Sequence, residues 1–349
     1  MKYRSSNSNL NTLDKIHALV ALGEYINNRF HSNNTKSSLI TKVLLESFNR
    51  NQWFTENYVI YALKKYATCF TVEKLKNWLS SYNLSLQKKK NIGLILPGNI
   101  PAVGFQDVLC TWLSGHHPQI KCSSKDDQLI PFLCRLIEKK IKKSCFEFVE
   151  KLKNYDAVIA TGTNHTIHHF EFYFRNIPRI LRKNRTSVAI IKGDESDEEI
   201  VQLGNDLFMY YGLGCRNVSK IYFPENYDLK NFVPKLKTDD DLKQSSKFHN
   251  NYTYQKAIHF LQNRPFIDGE FFLLQESCDV CSPISVIYYE FYKSIDWIKQ
   301  EMKKKQNEIQ CIVSKDLDIK NSIPFGTTQS PELWDYADGI DTLSFLQNL

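Results

Sequence analysis

Apolar residues recur at three- and four-residue spacing through the first ninety positions, and this pattern predicts helices over Leu13–Phe30, Leu39–Phe48 and Asn51–Thr68. Thr71, followed by Val72, Leu75, Trp78 and Leu79, predicts one more helix capped by that threonine. At Asn91 the period changes. The short apolar run Ile92–Leu96 stops at Pro97-Gly98-Asn99, as a buried strand stops at a tight turn. A helix is expected from Pro101 to Ser114, a strand at Gln119–Cys122, a helix over Leu129–Lys142 and a strand at Asp156–Ala160 that ends in Thr161-Gly162-Thr163. After a further helix comes a strand at Ser187–Ile191. Alternation of this kind signals βαβ units and a parallel sheet, hence an α/β fold. Further along, a helix over Asp197–Tyr211 should end on Gly212, with a strand at Lys220–Phe223. Residues 238–256 are polar and are expected to form a loop. Phe271–Gln275 and Ile284–Tyr289 are strand-like, and Ser330-Pro331-Glu332 has the form of a helix start.

Composition narrows the class. The chain has 349 residues, enough for two cores, and 42% hydrophobic residues exclude disorder as the main state. The net charge of +7 is spread over lysine-rich stretches such as Lys88–Lys90 and Lys139–Lys143. Neither run is interleaved with aromatic residues, so both are assigned to solvated faces and no nucleic-acid partner is expected. Nine cysteines, mostly within apolar segments, point to free thiols in a reducing compartment, so the expected location is the cytoplasm. The polar stretch Met1–Asn11 lacks the apolar core of a signal peptide, and no window is long and apolar enough to span a bilayer.

Three turns are expected at the carboxyl ends of parallel strands, where open α/β sheets take ligands. They are Pro97-Gly98-Asn99, Lys121-Cys122-Ser123-Ser124 and Thr161-Gly162-Thr163. Small residues let the backbone approach a phosphate, and each turn can open a helix whose N-terminus favours negative charge. Neither GxGxxG nor a GxxxxGK[ST] loop occurs, and each turn alone has an ordinary structural reading. Cys215 sits in Gly212-Leu213-Gly214-Cys215-Arg216, between a helix stop and a strand. Flanking glycine leaves its sulfur accessible and the arginine would favour a thiolate; a buried structural thiol is the alternative.

The run from Ile92 to Phe223 resembles the aldehyde dehydrogenase superfamily. Within it, the chain looks most like the acyl-CoA reductases typified by the fatty-acid reductase of bacterial luminescence (LuxC-type). Asn99-Ile100-Pro101 resembles the superfamily's Asn-aromatic-Pro turn, Lys121-Cys122-Ser123-Ser124 its Lys-Pro-Ser-Glu element, Ala160-Thr161-Gly162-Thr163 its Phe-Thr-Gly-Ser element and Gly214-Cys215 its Gly-Gln-Cys segment. The ending Trp334-Asp335-Tyr336-Ala337-Asp338-Gly339 is similar to that of the LuxC-type branch. The resemblance implies that Cys215 is the nucleophile and that the Asn99 amide is an oxyanion donor. It also implies a nicotinamide cofactor held by Pro97, Gly98, Lys121, Ser123, Ser124, Thr161, Gly162 and Thr163. Asp279, four residues before Pro283, stands where the superfamily has a glutamate near the nicotinamide ribose.

Two departures bear on the reaction. The stretch matching the hydrolytic enzymes' glutamate base is Ile180-Leu181-Arg182-Lys183-Asn184-Arg185, which holds no carboxylate. That favours acyl-CoA reduction over aldehyde oxidation. Ser124 followed by Lys125 replaces the ribose-binding glutamate, which suits the 2′-phosphate of NADPH over NADH.

The lone Cys278-Asp279-Val280-Cys281 lacks a second ligand pair, so no metal is assigned. His165 and His169 lack the intervening glutamate of HExxH and read as surface histidines, and His116-His117 is expected to be exposed. No GxSxG elbow supports a serine hydrolase. The expected architecture is aldehyde-dehydrogenase-like. A doubly wound nucleotide-binding domain would comprise 1–185 with 326–349, a smaller α/β catalytic domain would comprise 186–325, and the site would lie between them. The substrate is expected to be acyl-CoA or an acyl-carrier protein, and the resemblance allows a homo-oligomer. A cysteine acyltransferase without hydride transfer and a catalytically silent partner subunit stay open as alternatives.

Overall fold

The computed structural model describes residues 10–31, 39–84, 88–315, 319 and 322–349. The polar stretch 1–11 lies largely outside them. The chain divides into two compact units, Met1–Lys183 with Glu332–Leu349, and Asn184–Pro331.

The first unit begins with helices α1 (Thr12–His31), α2 (Leu39–Arg50), α3 (Glu56–Cys69) and α4 (Val72–Ser80). Thr55 and Thr71 cap α3 and α4 by accepting from the amides of Tyr58 and Lys74. The sheet is built from β1 (Asn91–Ile95), α5 (Phe105–Leu113), β2 (His117–Lys121), α6 (Leu129–Ile141), β3 (Glu147–Phe148), β4 (Ala157–Thr161), α7 (Asn164–Tyr173) and β5 (Arg179–Arg182). Its strands are all parallel, in the order β3-β2-β1-β4-β5. Ile92, Leu94, Leu109, Ile120, Leu133 and Ile159 fill the core between sheet and helices.

Several local expectations are corrected. The helix expected from Pro101 begins only at Phe105, because Ala102 takes a left-handed conformation (φ 54°). β3 and β5 have no counterpart in the apolar pattern: one has two residues, and the other carries arginine at both ends. His116 is buried rather than exposed. Its Nε2 bonds the Leu346 carbonyl oxygen at 2.9 Å, its Nδ1 accepts the Lys90 amide, and burial lowers its pKa.

The second unit contains β6 (Thr186–Ile190), α8 (Asp197–Phe208), β7 (Val218–Pro224), α9 (Leu229–Phe232), α10 (Asp240–Gln244), α11 (Ser246–Leu261), β8 (Ile267–Asp268), β9 (Leu273–Glu276), β10 (Val286–Tyr292), α12 (Ile295–Lys304), β11 (Ile309–Ser314) and β12 (Ser322–Ile323). The sheet order is β12-β11-β6-β7-β10-β9-β8, parallel except at β8–β9. A Ser196–Glu199 capping box starts α8. Most of the stretch 238–256 is helical rather than loop, in α10 and the first part of α11. Asp239 and Ser245 cap α10 and α11, and α11 buries only Phe248, Tyr252 and His259, too few to mark an amphipathic face in a polar sequence. Gly204 on α8 touches a neighbouring loop so closely that a Cβ there would stand 2.2 Å from the Lys237 carbonyl oxygen.

The final segment returns to the first unit. Lys74 pairs with Glu332 at 2.6 Å, and the buried Tyr336 hydroxyl accepts from Trp78 Nε1 at 2.8 Å. No helix starts at Ser330. The last helix, α13 (Thr342–Gln347), is capped by Asp341, and its Leu343 and Leu346 join the core.

Candidate active site

In the first unit, register decides what lies together. Ile95 on β1 stands opposite Lys121 on β2 and Ala160 on β4. The turns after these strands therefore leave the same sheet edge side by side. The strand order reverses between β1 and β4, the switch point at which open parallel sheets leave a crevice.

The turn after β1 is anchored from three directions. The Gly98 carbonyl oxygen accepts from Asn51 Nδ2 at 3.3 Å, and the Ala102 carbonyl oxygen accepts from the Tyr66 hydroxyl at 3.1 Å. The Ala102 amide donates to the buried Asp126 carboxylate at 2.8 Å. Pro97 is half-buried and Asn99 is exposed on the turn between these anchors. A Cβ on Gly98 would stand 2.6 Å from Ser123 Oγ and 3.2 Å from the Asp126 amide nitrogen. Gly98→Ala should therefore push the two turns apart and destabilise the unit by about 1–3 kcal/mol. A lowered urea midpoint would register this, and an unchanged midpoint would contradict the close approach.

Asp126 also accepts from the Leu129 amide at 3.3 Å, so one carboxylate ties the β1 turn to the start of α6. Burial pushes its carboxyl up from 3.8 to about 7, against those two donors. The folded state thus holds this proton more tightly than the unfolded chain does. The resulting stability is full below 3.8, is lost as pH rises and is gone above about 7. The stability difference between wild type and Asp126→Asn should shrink across that window, as urea titrations at stepped pH would measure. A difference that grew with pH would contradict the assignment.

Lys121 ends β2 and is exposed, as is Ser124; Ser123 is half-buried, and its Oγ accepts from the Lys125 amide at 3.3 Å. Thr161 ends β4, and the Gly162 amide donates to the Arg182 carbonyl oxygen at 3.2 Å. Thr163 caps α7 by accepting from the Thr166 amide, and no acidic residue occupies the first turn. The open parallel edge, the close-set glycines and an anion-tolerant helix start fit a dinucleotide.

The second unit carries the thiol. α8 stops at Phe208, three residues short of the expected end, because Tyr210, Tyr211 and Gly212 all take positive φ (52°, 60° and 72°). Buried Asn217 organises the turn into β7. Its Oδ1 accepts the Gly214 amide at 2.9 Å, while its Nδ2 donates to the carbonyl oxygens of Met209 at 2.8 Å and Asp206 at 3.2 Å. Cys215 is half-buried on this turn. Its carbonyl oxygen accepts from Ser187 Oγ at 3.1 Å, and the same oxygen of Ser187 accepts the Cys311 amide. The Arg216 guanidinium donates to the Cys311 sulfur at 3.3 Å.

Asp206 holds the last part of this unit by accepting from the amides of Gly326 and Thr328 and from the Thr328 hydroxyl. Burial raises its pKa to about 6. Asp279 is exposed, and its amide donates to Ser277 Oγ at 3.1 Å. It lies on the segment that runs back from β9 to β10, where Ser219 Oγ donates to the Val280 carbonyl oxygen at 2.6 Å. Cys278 and Cys281 are exposed. Among the described residues, no group of three or more His, Cys, Asp or Glu could hold a metal ion, and no helix is long and apolar enough to cross a membrane.

Of the expected site residues, Pro97, Gly98, Asn99, Lys121, Ser123, Ser124, Thr161, Gly162 and Thr163 therefore share one sheet edge. Cys215 and Asp279 belong to the other unit. The supports Asn51, Tyr66, Asp126, Ser187 and Asn217 are absent from the sequence-based expectation. Only Asp126 had a local signal, as an acidic residue three positions ahead of the apolar run at Leu129.

No family model matches the sequence, and a search of curated proteins gives no significant match. Solved structures do match. Aldehyde dehydrogenase 21 from Physcomitrella patens, in complex with the reaction product succinate, is 12% identical over 97% of this chain and 84% of its own, with a TM-score of 0.69. An aldehyde dehydrogenase from Bacillus cereus in its NAD+ complex is 13% identical over 91% and 75%, with a TM-score of 0.62. One from Mycobacterium tuberculosis complexed with NAD+ is 12% identical over 91% and 76%, with a TM-score of 0.60. This chain has the aldehyde dehydrogenase fold.

Proposed function

We propose that this protein reduces an acyl thioester to the aldehyde, using NADPH and an acyl-enzyme on Cys215, and that it is a LuxC-type acyl-CoA reductase. The observation that carries the reading is the half-buried residue Cys215, set on a turn fixed by Asn217 and Ser187 within an aldehyde dehydrogenase fold. The Cys215 thiolate attacks the thioester carbonyl, a new carbon–sulfur bond forms, and the carrier thiolate leaves. The Asn99 side-chain amide and the Cys215 backbone N–H donate to the developing oxyanion. A nicotinamide held at the first unit's sheet edge would supply the hydride that reduces the acyl carbon. The resulting thiohemiacetal collapses, which frees the Cys215 sulfur and releases aldehyde.

Thr163 at the start of α7 would hold the pyrophosphate and Lys121 the adenosine ribose, with Pro97, Gly98, Ser123, Ser124, Thr161 and Gly162 as further cofactor contacts and Asp279 near the nicotinamide ribose. Exposed Ser124 and Lys125 favour the 2′-phosphate of NADPH over NADH. Two features of the stretch 180–185 support reduction over hydrolysis. Arg182 is committed to a buried ion pair with Asp107, and the Lys183 ammonium pairs with Glu171 at 2.9 Å. The stretch thus supplies no base to activate water. We assign the protein to the cytoplasm, a reading supported by nine free cysteines. The carrier is CoA or an acyl-carrier protein.

The test is direct. Purified protein mixed with a long-chain acyl-CoA should oxidise NADPH and release an equal amount of aldehyde. Acyl transfer to an added thiol without any NADPH binding would replace this reading with that of an acyltransferase.

A further inference from the structure

The first unit contains a cavity at the end of its sheet opposite the dinucleotide edge. Gly115 and His116 stand just before β2 and Lys89 just before β1, so the space opens at the amino ends of the parallel strands. The turns at 97–99 and 121–124 leave the carboxyl ends. The cavity measures about 700 Å³, within the range of small-molecule sites.

Its lining has one sign of charge. Lys15, Lys89 and Lys143 face it beside Trp112, Leu79 and Leu84, and no aspartate or glutamate is among the described residues that line it. Lys15 is the built part. It is 8% exposed, and its ammonium donates to the carbonyl oxygens of Trp112 at 2.9 Å and Leu113 at 3.1 Å, at the end of α5. These two bonds cap the helix and leave the third ammonium N–H uncommitted by them. Burial is the main force lowering the Lys15 pKa to about 8; Lys89 and Lys143 add to it and Cys145 opposes it. An anion placed here would relieve the repulsion among the three ammoniums, while the indole and leucines would cover an apolar body.

We propose that this cavity is a binding site for a small amphipathic anion, one phosphate, sulfonate or carboxylate carried on an apolar body. The two lysine runs thereby acquire a role: Lys89 and Lys143 supply the outer charges and Lys15 the inner one. The site is separate from the dinucleotide edge and independent of the reductase reading.

The probe is 8-anilinonaphthalene-1-sulfonate, titrated by its fluorescence at low salt into the full chain. Lys89→Glu/Lys143→Glu should raise its Kd by about tenfold or more, whereas Lys121→Ala at the other sheet edge should change it by less than about twofold. If the charge reversals unfold the chain by circular dichroism, Lys89→Gln/Lys143→Gln serves instead, with an expected weakening of about threefold or more. Dodecyl phosphate should displace the dye at concentrations where inorganic phosphate does not. A Kd unmoved by the folded double variant, equal weakening by Lys121→Ala, or equal displacement by inorganic phosphate would each overturn the assignment.

Discussion

Cys215→Ala should abolish acyl-thioester reduction, lowering kcat by roughly 10⁴-fold or more, because removing a covalent nucleophile leaves only binding and oxyanion stabilisation. The fold should survive the change. The turn is held by the Asn217 side chain and by the Ser187 hydroxyl on the Cys215 carbonyl oxygen, contacts that alanine keeps. Tm and cofactor affinity should therefore stay at wild-type values while turnover disappears. Cys311→Ala is the matched control, since that buried sulfur receives the Arg216 guanidinium and has no place in the reaction. Asn99→Ala should fall between them, at about 10²–10³-fold in kcat, the usual effect of deleting one oxyanion donor. Full activity of Cys215→Ala would remove the mechanism altogether.

The largest stability effect is expected at Asp107→Ala, about 3–5 kcal/mol, because it strands a buried charge. Asp107 on α5 and Arg182 on β5 are 6% and 4% exposed and form a direct ion pair. Arg182 also donates to the Thr342 hydroxyl at 2.9 Å, at the start of α13. The pair thus joins a helix, an edge strand and the returning C-terminal segment. Its polar atoms are not all satisfied, since Arg182 Nε is buried and unbonded among the described residues. With Asp107 gone, the guanidinium would stay buried without its counter-charge. The double variant Asp107→Leu/Arg182→Met should recover most of the loss, since both charges then leave together. Urea unfolding followed by near-UV circular dichroism measures both. A loss below about 1 kcal/mol for the single variant would show that the guanidinium reaches water when unpaired.

Legibility in the sequence depends on how local each signal is. β1 and β4 announce themselves as short apolar runs closed by Pro-Gly-Asn or Thr-Gly-Thr, and the turns they feed are readable as ligand-facing. The thiol turn is readable from Gly-Leu-Gly-Cys. The contacts that hold these turns are not. Asp206 meets Gly326 across 120 positions and Ser187 meets Cys311 across 124, so no spacing rule reveals them. α11 escapes because its buried face is three residues wide in a polar segment, and His116 because its acceptor, the Leu346 carbonyl oxygen, lies at the far end of the chain. The early end of α8 is of another kind. Two tyrosines in left-handed conformations are disfavoured, and the Asn217 side chain, bonded on both sides of them, holds the chain there.

The proposed reduction rests on one covalent event, and mass spectrometry can observe it without turnover. Protein incubated with palmitoyl-CoA and no reductant, then digested, should carry one palmitoyl group on the peptide containing Cys215, and adding NADPH should remove it as aldehyde. An unmodified Cys215, or acylation confined to the exposed Cys278 and Cys281, would contradict the account.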